Sequence, residues 1–141
     1  MQKIQSLSKQ TQELYIAAKS ARERSYSPYS SHKVGAAIRT SDGKIFSGCN
    51  IENSSYGATV CAERVAIQKA VSEGHAKITE VVVITDSNPP WPPCGMCRQV
   101  IAEFGDNTLV HTTNLVGDAE SFKFADIFPR AFTPDHLLSR R

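Results

Sequence analysis

Two short segments of the sequence carry residue types that bind metal ions and move protons: residues 61–64 (CAER) and residues 93–98 (PCGMCR). Cys94 and Cys97 are three residues apart, so on a helix both thiols lie on one face and can hold one metal ion. Each segment follows a loop and begins a predicted helix, where free amides and the helix dipole favour thiolate over thiol. Together with Cys61, these cysteines can supply three thiolate ligands to a tetrahedral zinc ion.

The number of protein ligands decides what such a zinc site can do. A closed structural site uses four, whereas a catalytic site uses three and keeps the fourth position for water. Cys49 is the one other cysteine of the chain, and as a fourth ligand it would make a closed site in a non-catalytic zinc-binding module. Because Cys49 falls within a predicted strand next to Gly48, we interpret it as a small buried residue. The pattern therefore favours the open, catalytic arrangement.

Glu63 follows Cys61 by two residues, a spacing that would point the two side chains apart in the middle of a helix. In the first turn, side chains tilt back past the helix end, so both can reach the same space. Glu63 would then lie beside the metal without binding it, where a general acid or base is needed. Taken alone, Glu63 would be an ordinary acidic residue in a first turn, which the helix dipole favours.

The surrounding pattern predicts the elements that must position these residues. Helical spacing of apolar residues predicts four helices, at residues 6–25, 61–73, 94–104 and 134–138. Short apolar runs predict five strands, at residues 33–40, 45–50, 80–85, 109–113 and 121–124. The nearly continuous apolar run at 80–85 is typical of a strand that is covered on both faces. The alternation of strands and helices predicts an α/β fold, in one domain over residues 1–141.

Length and composition exclude several classes of protein. The chain has 141 residues, 40% of them hydrophobic and 21% charged, which is typical of a globular domain and not of a disordered or fibrous chain. A net charge of +2 gives no electrostatic case for a nucleic acid or an anionic membrane as a partner. No apolar run approaches the roughly 18 residues of a membrane span, and no signal peptide is recognised. We therefore expect a cytoplasmic protein, in which a Cys-x-x-Cys pair binds metal.

The joint spacing of Cys61, Glu63 and the Pro-Cys-x-x-Cys segment matches the signature of the zinc deaminases. Beyond that signature, the chain resembles the small homotetrameric cytidine deaminases that act on free nucleosides. The resemblance extends over most of the chain, through the segments YSPYS, VGAA, DGK, GCNIEN, CGMCRQVI and FPRAF, at residues 26–30, 34–37, 42–44, 48–53, 94–101 and 128–132.

The resemblance implies a fold, a cofactor and a reaction. The fold is a three-layer α-β-α sandwich with a five-stranded mixed sheet, and each subunit of the homotetramer holds one zinc ion. The reaction is the hydrolysis of cytidine and 2′-deoxycytidine to uridine and 2′-deoxyuridine with release of ammonia, a step of pyrimidine salvage. The partner is thus a nucleoside, with neither nucleic acid nor membrane involved.

The same resemblance assigns roles around the metal. It implies that Cys61, Cys94 and Cys97 bind zinc and that Glu63 is the acid/base of the reaction. Arg64 matches an arginine that donates hydrogen bonds to the zinc thiolates, which would offset their excess negative charge.

On the substrate side, Asn50 and Glu52 match the pair that holds the 3′-hydroxyl of the sugar, a role that suits an amide and a carboxylate. The resemblance also assigns Ala62 to substrate binding. Tyr56 and Phe132 match aromatic residues that reach the site of a neighbouring subunit.

The sequence departs from the family pattern in two places. His32 stands where the family usually has Phe beside the pyrimidine, which adds polarity and a titratable group. Pro92 stands where a Ser is usual, so a hydroxyl and an amide are missing near the departing amine. Trp91, which precedes Pro92, makes this segment resemble the corresponding segment of the polynucleotide cytosine deaminases. Those enzymes usually have His in place of Cys61.

Three alternatives remain open on the sequence alone. A blasticidin S deaminase shares the zinc motif but lacks the Asn-x-Glu pair, which is present here as Asn50 and Glu52. A polynucleotide cytosine deaminase would act on single-stranded DNA rather than on free cytidine. A non-catalytic zinc module would have no open coordination position and no deaminase activity.

Overall fold

The computed structural model describes residues 1–138, so the last three residues of the predicted domain lie outside the described part. The helices are α1 (Lys9–Arg22), α2 (Ala62–Ser72), α3 (Gly95–Phe104), α4 (Phe124–Ile127) and α5 (Pro134–Leu138). The strands are β1 (Gln2–Lys3), β2 (Gly35–Thr40), β3 (Ile45–Cys49), β4 (Ile78–Thr85), β5 (Gly105–Asn114) and β6 (Asp118–Lys123). Within this part of the chain, none of the helices combines the length and apolar character needed to cross a bilayer.

The strands form one mixed sheet in the order β1-β6-β5-β4-β2-β3. The β4–β5 pair is parallel, and the other pairs are antiparallel. The prediction of an α/β fold with a mixed sheet is confirmed, but the prediction of five strands is wrong by one. The sixth strand, β1, has two exposed residues that pair with Ala119 and Asp118 at the sheet edge. Two residues are too few to show a period, so the sequence carries no pattern for this strand.

The sheet is covered on both faces, and β4 supplies side chains to both. Val82 and Ile84 pack with Leu14 and Ala18 of α1 on one face. On the other face, alternate residues of β4 pack against α2 and α3, in a cluster that includes Ile67 and Ile101. This arrangement explains the continuous apolar run of β4, because both faces of a central strand are removed from water.

Two glycines let the helices approach the sheet closely. A Cβ at Gly35 of β2 would lie 2.0 Å from the carbonyl oxygen of Ala18 in α1. A Cβ at Gly48 of β3 would lie 2.8 Å from the backbone nitrogen of Ala66 in α2. Because α2 rests on Gly48, this contact sets the position of the helix that follows Cys61.

Candidate active site

The three cysteines of the predicted metal site meet at two helix N-termini. Cys61 and Cys94 are the N-cap residues of α2 and α3, and neither side chain caps its own helix. The Sγ atoms of Cys61, Cys94 and Cys97 all lie within 4.8 Å of one another. Those of Cys61 and Cys94 are 3.7 Å apart. A tetrahedral zinc ion with Zn–S bonds of about 2.3 Å places its sulfur ligands about 3.8 Å apart. The thiol cluster therefore fits zinc in donor type and in size.

The pKa values of the clustered thiols also favour a bound cation. A hydrogen bond with Cys97, reinforced by Arg64, lowers the pKa of Cys61 to about 5. The same hydrogen bond, together with burial and the nearby Glu63 carboxyl, raises the pKa of Cys97 well above its ordinary value. The protein alone thus favours one thiolate at the expense of another, and a divalent cation between them would remove that conflict. Arg64 supports the thiolate state, because its Nη2 atom lies 3.6 Å from the Cys61 sulfur.

Glu63 lies in the first turn of α2 and is 4% exposed. Burial raises the pKa of Glu63 to about 7, and hydrogen bonds from its own backbone amide and from Cys97 offset this only in part. A carboxyl in this setting can take up and release a proton near neutral pH, as a general acid and base requires.

A cavity of about 280 Å³ joins the thiol cluster to the predicted substrate residues. Its lining includes His32, Asn50, Cys61, Ala62, Glu63 and Trp91. A second, more open depression adjoins it, shares Ser30 and Thr59 with it, and is lined by Glu52 and Tyr56. A larger cavity of about 530 Å³, between α3 and α4, contains none of the predicted site residues. The polar and metal-binding groups thus converge on the smaller cavity.

Asn50 is buried behind the loop that leads into β2. Its Nδ2 atom donates to the His32 carbonyl at 2.8 Å, and its Oδ1 atom accepts from the Val34 amide at 2.9 Å and from the Ser25 hydroxyl. Asn50 therefore fixes the backbone on both sides of residue 33 and also faces the cavity.

Glu52 fixes the preceding part of the same loop. Its Oε1 atom accepts from the Tyr29 and Ser30 amides at 2.9 and 3.2 Å, and its Oε2 atom accepts from the Ser30 hydroxyl. The hydrogen bond from Ser30, followed by those from the two amides, keeps the pKa of Glu52 below its usual value. The carboxylate is thus ionised and lies in the depression beside the thiol-lined cavity.

The comparison with known families addresses the same region. A family model described as "Cytidine and deoxycytidylate deaminase zinc-binding region" matches residues 8–113, which include the thiol cluster and Glu63. This chain belongs to the cytidine deaminase family. It therefore has a zinc-binding deaminase domain, and the predicted activity, deamination of cytidine by a hydrolase, is confirmed.

Individual relatives match most of the chain. The cytidine deaminase of Sporosarcina psychrophila is 48% identical over 127 residues, which cover 89% of this chain and 93% of that protein. The cytidine deaminase of Halalkalibacterium halodurans is 47% identical over 118 residues, which cover 83% and 89% respectively. The crystal structure of cytidine deaminase from Burkholderia pseudomallei superimposes with a TM-score of 0.82 at 45% identity, over 86% of this chain and 98% of that one.

Two other positions considered from the sequence lie away from the thiol cluster. Phe132 does not line the cavity; its ring stacks on His136, with centroids 5.3 Å apart, and its carbonyl accepts from the side-chain amide of Gln99 in α3. Cys49 lies half-buried on β3 and is not part of the thiol cluster. A closed site with four cysteines therefore has no support in the geometry.

Sequence reasoning missed one residue beside the cavity. Asp86 follows β4 directly, and its Oδ1 atom lies 3.7 Å from the Nδ1 atom of His32. Its position just past the carboxyl end of a central strand was the available signal, because polar site residues gather at such ends in α/β folds.

Proposed function

We propose that Cys61, Cys94 and Cys97 hold the zinc ion of this deaminase domain and that Glu63 moves the protons of the reaction. The observation that supports this best is the convergence of one buried carboxyl and three thiols on one cavity. Among residues 1–138, no other group of three or more His, Cys, Asp or Glu side chains is close enough to hold one metal ion.

The chain's own residues account for the proton transfers. Zinc supplies Lewis acidity when bound, lowering the pKa of a coordinated water toward about 7. Glu63 accepts a proton from the attacking water and delivers it to N3 of the cytosine, which makes C4 more electrophilic. The hydroxide left by that transfer adds to C4, and Glu63 takes the remaining proton from the new C4 hydroxyl and delivers it to the amine. The C4–N bond then breaks, ammonia leaves and the C4 carbonyl of the product forms. Burial of Glu63 keeps bulk water from competing for these protons.

Arg64 has a supporting role in this proposal. Three thiolates and a zinc ion carry a net charge of −1, which weakens the acidifying effect of the metal. The guanidinium near the Cys61 sulfur offsets that charge.

The substrate is held in two places in this proposal. His32 and Ala62 line the cavity beside the base, and Asn50 and Glu52 bind the 3′-hydroxyl of the sugar. The 3′-hydroxyl is common to cytidine and 2′-deoxycytidine, so we propose that both are substrates. Asn50 retains one N–H of its amide for this purpose beyond the hydrogen bond to His32.

The proposal includes a homotetramer in which Tyr56 and Phe132 complete the sites of neighbouring subunits. Tyr56 is 77% exposed and lines the depression beside the cavity, and Phe132 is 55% exposed, so both side chains are accessible to a neighbouring subunit. We further propose a cytoplasmic location, because the thiol ligands need a reducing compartment, and a role in pyrimidine salvage.

The first test measures metal and products together. Purified protein with one zinc ion per subunit is mixed with cytidine, 2′-deoxycytidine or a single-stranded DNA oligonucleotide, and deaminated product and ammonia are followed. We expect equimolar product and ammonia from both nucleosides and none from the oligonucleotide. Deamination of the oligonucleotide alone would replace this proposal with a polynucleotide deaminase.

Removal of the metal is the second test. Because the three thiols need a cation to ionise together, we expect a chelator to abolish turnover and added zinc to restore it. Turnover that persists in protein shown to be zinc-free would contradict the assignment.

Light scattering of the zinc-loaded protein measures the number of subunits in the oligomer, for which we expect four.

A further inference from the structure

His32 is held between two side chains at the wall of the cavity. On one side, its Nδ1 atom lies 3.7 Å from an Asp86 carboxylate oxygen. On the other side, its ring meets the ring of Trp91 edge to face, with centroids 5.3 Å apart and planes at 61°. His32 and Trp91 both line the cavity that contains Glu63. The imidazole is therefore a wall of the site whose orientation depends on its two neighbours.

The backbone around His32 is already fixed without these neighbours. The His32 amide donates to the Ser30 hydroxyl at 3.0 Å, and its carbonyl accepts from Asn50 at 2.8 Å. The next carbonyl, of Lys33, accepts from the Nε atom of Arg22 at 3.0 Å. The freedom that remains lies in the side-chain torsions of His32, and these are what Asp86 and Trp91 restrict.

Asp86 can orient the imidazole because Arg22 contacts its carboxylate on the side away from His32. Its other carboxylate oxygen lies 3.8 Å from the Nη2 atom of Arg22, a side chain that is 11% exposed. Asp86 also follows the last residue of the buried central strand β4. A carboxylate fixed by a strand end and an arginine offers His32 a partner at a defined position.

The contact with Trp91 connects His32 to the segment that leads to Cys94. Trp91 lies three residues before Cys94, whose thiol belongs to the thiol cluster. A Phe at position 32 could retain the ring contact with Trp91 but would offer no ring nitrogen to the Asp86 carboxylate. An effect of Asp86 on the site through residue 32 therefore requires histidine there.

We infer that Asp86 is a positioning residue for the nucleoside site, which it influences by holding the His32 imidazole against Trp91 before substrate arrives. The inference rests on the proposed function, in which His32 is part of the wall beside the base. A preformed wall reduces the side-chain ordering that binding would otherwise require. The effect is therefore on substrate binding and not on the chemical step, so it changes KM and leaves kcat.

The test is the substitution Asp86→Asn in zinc-loaded protein. We expect KM for cytidine to rise about 2- to 10-fold, the range that corresponds to ordering one side chain on binding, and kcat to stay within about twofold. Glu23→Gln is the matched control. The exposed Glu23 carboxylate lies 3.6 Å from the Arg22 guanidinium. Its substitution therefore also removes a negative charge beside Arg22 but leaves His32 and its contacts in place. We expect that control to leave KM unchanged.

The decisive comparison repeats Asp86→Asn in a His32→Phe background. If Asp86 acts through the imidazole, the second substitution adds no further change in KM. An equal rise in both backgrounds would overturn the inference, because the effect would then pass through Arg22 or the fold. An unchanged KM for Asp86→Asn, with thermal unfolding also unchanged, would overturn it too. The proposed function fails separately: its sign is folded, zinc-loaded wild-type protein that releases no ammonia from cytidine or 2′-deoxycytidine.

Discussion

Two glutamates are buried on opposite faces of the sheet, and their surroundings differ. Glu63, 4% exposed, lies on α2 beside the thiol cluster. Glu80, 9% exposed, lies on β4 and faces α1. Its Oε2 atom accepts from the Thr11 hydroxyl at 2.5 Å and lies 2.8 Å from Nε2 of His111, and its Oε1 atom lies 4.0 Å from Arg39.

Burial acts on both carboxyls in the same direction, yet the results are opposite. For Glu80, the effect of burial is outweighed by hydrogen bonds with His111 and Thr11 and by the charges of His111 and Arg39, so the pKa of Glu80 is lowered. For Glu63, burial prevails and the pKa rises to about 7. A buried carboxylate with a full set of partners stabilises the fold, whereas one without that set is available for proton transfer.

The largest expected effect separates the two glutamates by activity. We expect Glu63→Gln to reduce kcat by about 10²–10⁴-fold, the usual contribution of a positioned acid/base, because the amide cannot carry the proton. Glu80→Gln is the matched control and should keep wild-type kcat per folded molecule. Steady-state kinetics with measured zinc content checks both, and full activity in the Glu63 variant would contradict its role.

The features that the sequence predicted are those encoded locally. Cys61, Glu63 and the Cys94–Cys97 pair begin two helices, and the requirements of a metal site appear there as short spacings. The apolar run of β4 predicted a strand covered on both faces, which the packing against α1, α2 and α3 confirms.

The features that it did not predict depend on contacts between distant segments. Glu80 and His111 are 31 residues apart and meet because β4 and β5 pair in parallel, a register that no local pattern specifies. Asp86 and His32 are 54 residues apart and meet for a similar reason. Asp86 follows the end of β4, His32 precedes the start of β2, and these two strands pair antiparallel. Such pairs need the tertiary structure.

A smaller effect separates the two glutamates by stability. Glu80→Gln leaves the buried His111 and the partly exposed Arg39 with a neutral partner, so we expect the free energy of unfolding to fall by about 1–3 kcal/mol. Glu63→Gln removes a carboxyl that burial disfavours in its charged form and should not lower it. Urea unfolding of the zinc-loaded proteins, with unchanged m values, measures both. A loss of the same size in both variants would show that the two buried sites do not differ in the way described.

The smallest expected effect is the pH dependence of that stability difference. The pKa of Glu80 is lowered from its ordinary value of 4.5, so its contribution to stability is full above pH 4.5 and is lost as pH falls through the folded-state value. Arg39 stays charged throughout this range, and His111 is the second charged partner of the carboxyl. The stability difference between wild type and Glu80→Gln should therefore narrow as the pH falls below 4.5 and Glu80 takes up its proton. Unfolding measured at several pH values checks this, and a difference that stays the same at pH 3 would mean that the ionised carboxylate is not what holds α1 to the sheet.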